Sequence, residues 1–278
     1  MKMKGKCFLG MVFLLVLSLN AFGGGRASST AGDRIELVVF AAASMTETLE
    51  QIAGLYRGVA PNVMLVFNFD SSGTLRTQIR ENAYCDIFIS AAQLQMDQLD
   101  ISASPQVNSA RSDFVLQGTR IDLLENKVVL SVPPGNPAGL RGFSDLAGRI
   151  MNENILLAMG NSDVPVGQYT QRILAYFNLD EAELVRRGRI TYGSNVKEVT
   201  TQVREASVSG GVVYHTDAYS DGLEIVDHAS AEMCGQVIYP AAVMRASGNI
   251  DAAKAFLEYL QSNEAMAVFE QVGFSRIR

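Results

Sequence analysis

The sequence predicts an α/β protein of two doubly wound lobes joined by two crossover strands, with a ligand cleft between them. Three observations predict it. Short apolar strands alternate with amphipathic helices, which implies mostly parallel sheets with helices on both faces. Two extended apolar strands, 126–133 and 239–245, flank a central block that has strand–helix units of its own. Two further helices, 251–261 and 264–272, then return to the first lobe. Lobe I is therefore expected over 28–126 plus 240–278, and lobe II over 127–239.

The first residues read as a targeting signal rather than as part of the fold. Lys2, Lys4 and Lys6 precede the apolar run FLGMVFLLVLSL, 8–19, which is too short to span a bilayer comfortably. Residues 1–27 are assigned to the signal peptide and the start of a tether, because GGGRASSTAG, 23–32, has linker composition. Leu19-Asn20-Ala21 followed by Phe22 looks like a lipoprotein box with Phe22 where the acylated cysteine would stand. A lipid anchor is therefore not expected. The expectation is an exported protein, periplasmic or at the cell surface, soluble after cleavage within 23–27.

Strands are expected at 35–40, 63–67, 86–90, 127–132, 155–158, 190–192, 211–214 and 238–244. Helices are expected at 44–56, 73–82, 92–99, 166–177 and 196–206. The first helix carries Leu49, Ile52, Ala53 and Tyr56 on one face, and Pro133-Pro134-Gly135 stops the fourth strand. A chain of 278 residues, 48% hydrophobic and 19% charged, has an ordinary globular balance and enough length for two lobes.

Charge narrows the function. Residues 1–27 hold Lys2, Lys4, Lys6 and Arg26 and no acid, so their removal takes the formal charge from −6 to −10. So acidic a chain is a poor partner for nucleic acid or an anionic membrane. Any anion it binds must be held by local donors. Cys85 and Cys234 remain after the signal; in an exported protein they are either a disulfide or two small buried hydrophobes.

In open α/β sheets ligands sit beyond the carboxyl ends of strands, so the strand-to-helix junctions are where function is sought. The first is Ala41-Ala42-Ala43-Ser44, where Ser44 and Glu47 have capping-box spacing. The second, Asp70-Ser71-Ser72-Gly73-Thr74, suits either an N-cap or an oxyanion cradle. Val164-Pro165-Val166-Gly167 places a proline in a first helical turn and leaves the next amides free. Ser194-Asn195-Val196-Lys197 opens another capped helix. Tyr214, ending an apolar strand, is either a satisfied core phenol or a donor into the cleft. Neither Ala41–Ser44 nor Asp70–Thr74 contains Lys or Arg. Helix N-termini carry orphan N–H donors and partial positive charge, so converging amides can hold a dianion without a counter-ion.

The segments VFAAASMTETLEQIA, SSGTLRTQI, CDIFISAAQLQMDQL, DVPVGQY, GGVVYHTDA and IYPAAVM, in this order, resemble the substrate-binding proteins of bacterial molybdate ABC transporters. The similarity runs from about Arg34 to Phe274. It implies a type II periplasmic-binding-protein fold and capture of a tetrahedral oxyanion, molybdate or tungstate, in the interlobe cleft. Carried over residue by residue, it implies ligand hydroxyls at Ser44, Ser72 and Tyr214 and ligand amides at Val166 and Val196. Ser71, Gly73 and Asn195 are secondary candidates, since Gly73 stands where the family often has a third hydroxyl. The implied partner is the membrane permease of an ABC importer, and the implied state is a monomer.

The ligand chemistry agrees with the residue types. Molybdate and tungstate are fully deprotonated at neutral pH, so every oxygen accepts and a site of N–H and O–H donors suits them. Hydrogen phosphate would want an acceptor, for which Asp70 and Asp163 are the nearest candidates; sulfate would be told apart by cavity size. No catalytic residue, cofactor or direct metal ligand is expected. A hydrolase using Ser44 lacks a G-x-S-x-G elbow and has only His215 and His228 as bases. A Cys85–Cys234 disulfide is the working hypothesis.

Overall fold

The computed structural model describes residues 34–277. The signal peptide, the tether and Phe22 lie outside the described residues.

The first lobe opens with β1 (Ile35–Ala42), a tight turn Ala43–Met45, α1 (Thr46–Val59), β2 (Val63–Asp70), α2 (Ser72–Arg80), β3 (Ile87–Ile89), α3 (Gln93–Asp97) and β4 (Ile121–Asn126). The chain then crosses into β5 (Val128–Val132), α4 (Phe143–Arg149), β6 (Leu157–Gly160), α5 (Pro165–Tyr176), α6 (Glu181–Arg186) and β7 (Ile190–Gly193). The same lobe continues through α7 (Val196–Arg204), β8 (Gly210–Tyr214), α8 (His215–Ser220), β9 (Glu224–His228) and α9 (Ala231–Cys234). Finally β10 (Val237–Val243) crosses back, followed by α10 (Ile250–Leu260), α11 (Asn263–Gln271) and the short β11 (Ser275–Arg276).

Two sheets result, ordered β11-β4-β10-β3-β1-β2 and β7-β6-β8-β5-β9. Within the first, β1 runs parallel to β2 and β3; within the second, β6 runs parallel to β7 and β8. The expectation of mostly parallel sheets needs correction. β10 is antiparallel to both β3 and β4, and β5 is antiparallel to both β8 and β9. A strand arriving from the other lobe enters its sheet from the opposite end, so it runs against the resident strands.

β1 shows how sequence sets the packing. Leu37, Val39 and Ala41 point into the large core cluster, whereas Phe40 joins a second cluster with Leu75, Ile79, Cys85, Phe88 and Met96. Successive side chains of a strand face opposite sides, so IELVVFAA feeds helices on both faces of its sheet. The large cluster also takes in Val128, Leu130, Val212 and Tyr239, so apolar packing is continuous through the crossover strands.

β4, α4, α6, α8, β9, α9 and β11 were not expected. They are short or charged, IDLLEN and EIVDH among them, and offer too few residues to show a period. Among the described residues no helix is long and apolar enough to cross a membrane.

The two cysteines are not joined. Cys85 is buried in the smaller cluster, where its Sγ donates to the Ile87 carbonyl at 2.9 Å. Cys234 is buried in the large cluster at the end of α9, its Sγ 3.8 Å from the Ser230 carbonyl. The disulfide hypothesis is therefore overturned: the thiols belong to different cores, and each fills space as a small hydrophobe.

Candidate ligand-binding site

The carboxyl ends of the parallel strands face one another across the two lobes and border a small, partly open cavity of about 10 Å³. From the first lobe come Ser44 after β1, Asp70, Ser71 and Ser72 after β2, and Ala91 after β3. From the second come Val164 and Pro165 after β6, Val196 after β7, and Tyr214 ending β8. Ser44, Ser71, Ser72, Val196 and Tyr214 are thus brought together, all buried. Val166, Gly73 and Asn195 are each adjacent in sequence to a lining residue.

Ser44 does not cap a helix. α1 begins after Met45, and no side chain caps it. Ser44 Oγ lies 2.9 Å from Tyr239 Oη, while Glu47 reaches away to Lys197. The capping-box expectation fails because the extra turn, Ala43–Met45, moves the helix start two residues on and frees the Ser44 side chain for tertiary contact. Tyr239 Oη also accepts from Asn126 Nδ2 at 3.2 Å, and Asn126 Nδ2 reaches Thr216 Oγ1 at 3.0 Å. Ser44 is therefore wired to both crossover segments.

The neighbouring serines divide their duties. Ser71 is the N-cap of α2, its Oγ accepting from the Thr74 amide at 3.1 Å. Ser72 Oγ accepts from the Ala91 amide at 2.9 Å, which leaves its own proton free to donate. Asp70 Oδ1 accepts from the Ser71 amide at 2.6 Å. At Gly73 any Cβ would collide with the backbone carbonyl of Asp163, so glycine permits the two lobes to close here. Asn195 spends its side chain as N-cap of α7, accepting from the Glu198 amide at 3.1 Å, while Glu198 accepts from Ser194 Oγ at 2.8 Å. That arrangement leaves the Val196 amide among the orphan donors at a helix start. Pro165 at the first position of α5 gives Val166 the same standing.

Tyr214 Oη is buried and has no hydrogen-bond partner among the described residues. Burial, reinforced by the neighbouring Tyr239 phenol, holds its pKa well above the ordinary range. Burial and the charge of Asp217 do the same to Tyr239. Both phenols therefore remain O–H donors at neutral pH. Sequence reading missed Tyr239, Asn126, Lys197 and Asp217. Only the Tyr-Pro step at 239–240, in an apolar crossover strand, hinted at one of them.

Comparison with known proteins identifies the family. The model for bacterial extracellular solute-binding proteins matches residues 37–275. The chain belongs to this family. YvgL of Bacillus subtilis (strain 168), named provisionally as an ABC transporter substrate-binding lipoprotein, is 33% identical to this solute-binding protein over 95% of its chain and 94% of YvgL. The molybdate-binding protein ModA of Haemophilus influenzae is 32% identical, over 86% of this chain and 90% of ModA. The structure of the Azotobacter vinelandii periplasmic molybdate-binding protein superposes with a TM-score of 0.72, covering 87% of this chain and 100% of that one. At 22% identity the last likeness is one of fold, the type II periplasmic-binding-protein fold.

Proposed function

We propose that this solute-binding protein captures a tetrahedral dianion, molybdate or tungstate, and delivers it as a monomer to the permease of an ABC importer. The observation that carries the reading is the Tyr214 hydroxyl, without a hydrogen-bond partner among the described residues and buried in a cavity that no described Lys or Arg lines. A buried donor without an acceptor costs about 1–3 kcal/mol, and an oxyanion in the cavity would supply the acceptor. Ser44, Ser72 and the amides of Val166 and Val196 would complete a set of neutral donors around it. The molybdate-binding name of the Haemophilus influenzae relative supports the choice of anion.

A space of about 10 Å³ suits one water rather than a four-oxygen anion. The lobes, 28–126 plus 240–278 and 127–239, would part about the crossover strands to admit ligand and close again around it. Closure excludes water and strengthens each hydrogen bond. No cofactor is required, and the metal enters as oxyanion rather than as a protein-ligated ion. Release occurs outside the cytoplasm; the lipoprotein naming of YvgL makes attachment to the membrane a question for the processed N-terminus.

One observation favours a second reading. Asp70 is among the lining residues, and a carboxylate there could accept the proton of hydrogen phosphate. A hydrolase reading finds less support, since Ser44 is paired with a phenol and His215 Nδ1 is 3.3 Å from His228 Nε2. A thermal-shift panel of molybdate, tungstate, chromate, sulfate and phosphate at equal concentration, followed by calorimetry, tests both readings. Molybdate and tungstate should raise the melting temperature selectively; a rise with phosphate alone would transfer the assignment to the second reading.

A further inference from the structure

We propose that Glu47, Lys197 and Asp217 form a latch across the cleft that holds the lobes closed around the bound anion. Glu47 and Lys197 act as positioning residues that touch no ligand. The proposal rests on the cavity being the oxyanion site.

Lys197 Nζ donates to Glu47 Oε1 at 2.8 Å and to Oε2 at 3.0 Å, across 150 positions of sequence and from one lobe to the other. Each partner belongs to a helix start that faces the cavity. Glu47 stands three residues after Ser44 in the first turn of α1, and Lys197 directly follows Val196 in α7. The pair thus fixes the distance between the two helix starts on which a captured anion would depend.

Lys197 is braced from behind. Asp217 Oδ1 lies 3.2 Å from Nζ, the Asp217 side chain is fully buried, and neither carboxylate oxygen has a hydrogen-bond partner among the described residues. When Asp217 is ionised, Lys197 serves as its counter-ion within the same lobe and cannot swing into solvent without stranding that charge. The entropy cost that makes most exposed ion pairs worthless is already met on the lysine side. Gln95 Nε2 of α3 donates to Gln168 Oε1 of α5 at 3.2 Å, a neutral contact between the same two lobes.

The sign of the effect separates this proposal from simple electrostatics. Glu47 sets a negative charge beside a site for a dianion, in a chain whose formal charge is already −6. Coulomb repulsion alone predicts tighter anion binding when Glu47 is removed. A latch predicts weaker binding, through faster release.

The test uses Glu47→Ala, a half-exposed helical position where alanine is compatible with folding. Stopped-flow and calorimetric titration with molybdate should show about two- to five-fold weaker binding, carried by the release rate. The loss should shrink as sodium chloride screens the pair. Because Lys197→Met alone strands Asp217, the background for the cycle is Lys197→Met with Asp217→Asn, where Glu47→Ala should add no further loss. Unchanged or tighter binding by Glu47→Ala, or an equal loss in that background, overturns the latch. Small-angle scattering of the anion-free proteins gives a readout independent of ligand: Glu47→Ala should be more open than wild type. If wild type binds no oxyanion of the panel while Glu47→Ala opens, the site assignment falls, and the ion pair is shown to hold the lobes together without serving anion capture. If scattering does not change, the latch falls whatever the affinity.

Discussion

Tyr214 and Ser44 illustrate how differently two hydroxyls of one site can be held. The Tyr214 hydroxyl meets no hydrogen-bond partner of good geometry among the described residues, so Tyr214→Phe should leave the melting temperature of the anion-free protein unchanged or slightly higher. The same change should weaken molybdate binding about ten-fold or more, the scale of a hydrogen bond to a charged group, measured by calorimetry. Ser44→Ala should weaken binding comparably but also cost about 1 kcal/mol of stability, since Tyr239 loses one partner and keeps Asn126. Asp217 contributes a pH dependence of its own. Burial, partly offset by Lys197, raises its pKa from an ordinary carboxylate value to about 7. The folded protein then holds this proton more tightly than the unfolded chain does. Its contribution to stability is full below the ordinary carboxylate pKa and is lost as pH rises to about 7. Melting curves at pH 5 and pH 8 should therefore show wild type losing stability relative to Asp217→Asn. A constant difference would mean that Asp217 does not titrate in that window.

At the scale of elements, helix starts from both lobes border the cavity, and backbone clearance decides whether they meet. Gly73, the second residue of α2, abuts the Asp163 carbonyl before α5, where a side chain would wedge the lobes apart. Gly73→Ala should raise or preserve the stability of α2, because alanine is the better helix former by about 1 kcal/mol. It should nonetheless weaken anion binding at least ten-fold by blocking closure, a combination that thermal melting and titration on the same sample would reveal. Most of these elements are legible in sequence, since β1, β2, α5, α7 and α10 carry clear apolar periods or caps. α8 is not: six residues, HTDAYS, show no period. Its placement brings Asp217 behind Lys197, which is why that pair was invisible.

For the whole molecule, two lobes share apolar packing through β5 and β10 and are linked by the Asn126–Tyr239–Ser44 hydrogen bonds. No covalent tie is needed between them. Protein lacking residues 1–27 should titrate two thiols when denatured without reductant and essentially none when folded. Both cysteines are buried, and burial pushes the Cys85 thiol up to about 12. By itself the sequence determined the alternating two-lobe plan, the junctions where a ligand would sit and the neutral, hydroxylic character of those junctions. These follow from periodicity and residue type, which act over a few neighbours. Only the tertiary structure decided that Ser44 faces Tyr239 instead of its own helix, that Glu47 crosses the cleft to Lys197, and that the cysteines stay apart. Those outcomes depend on distances between segments more than a hundred residues apart, which local pattern does not encode.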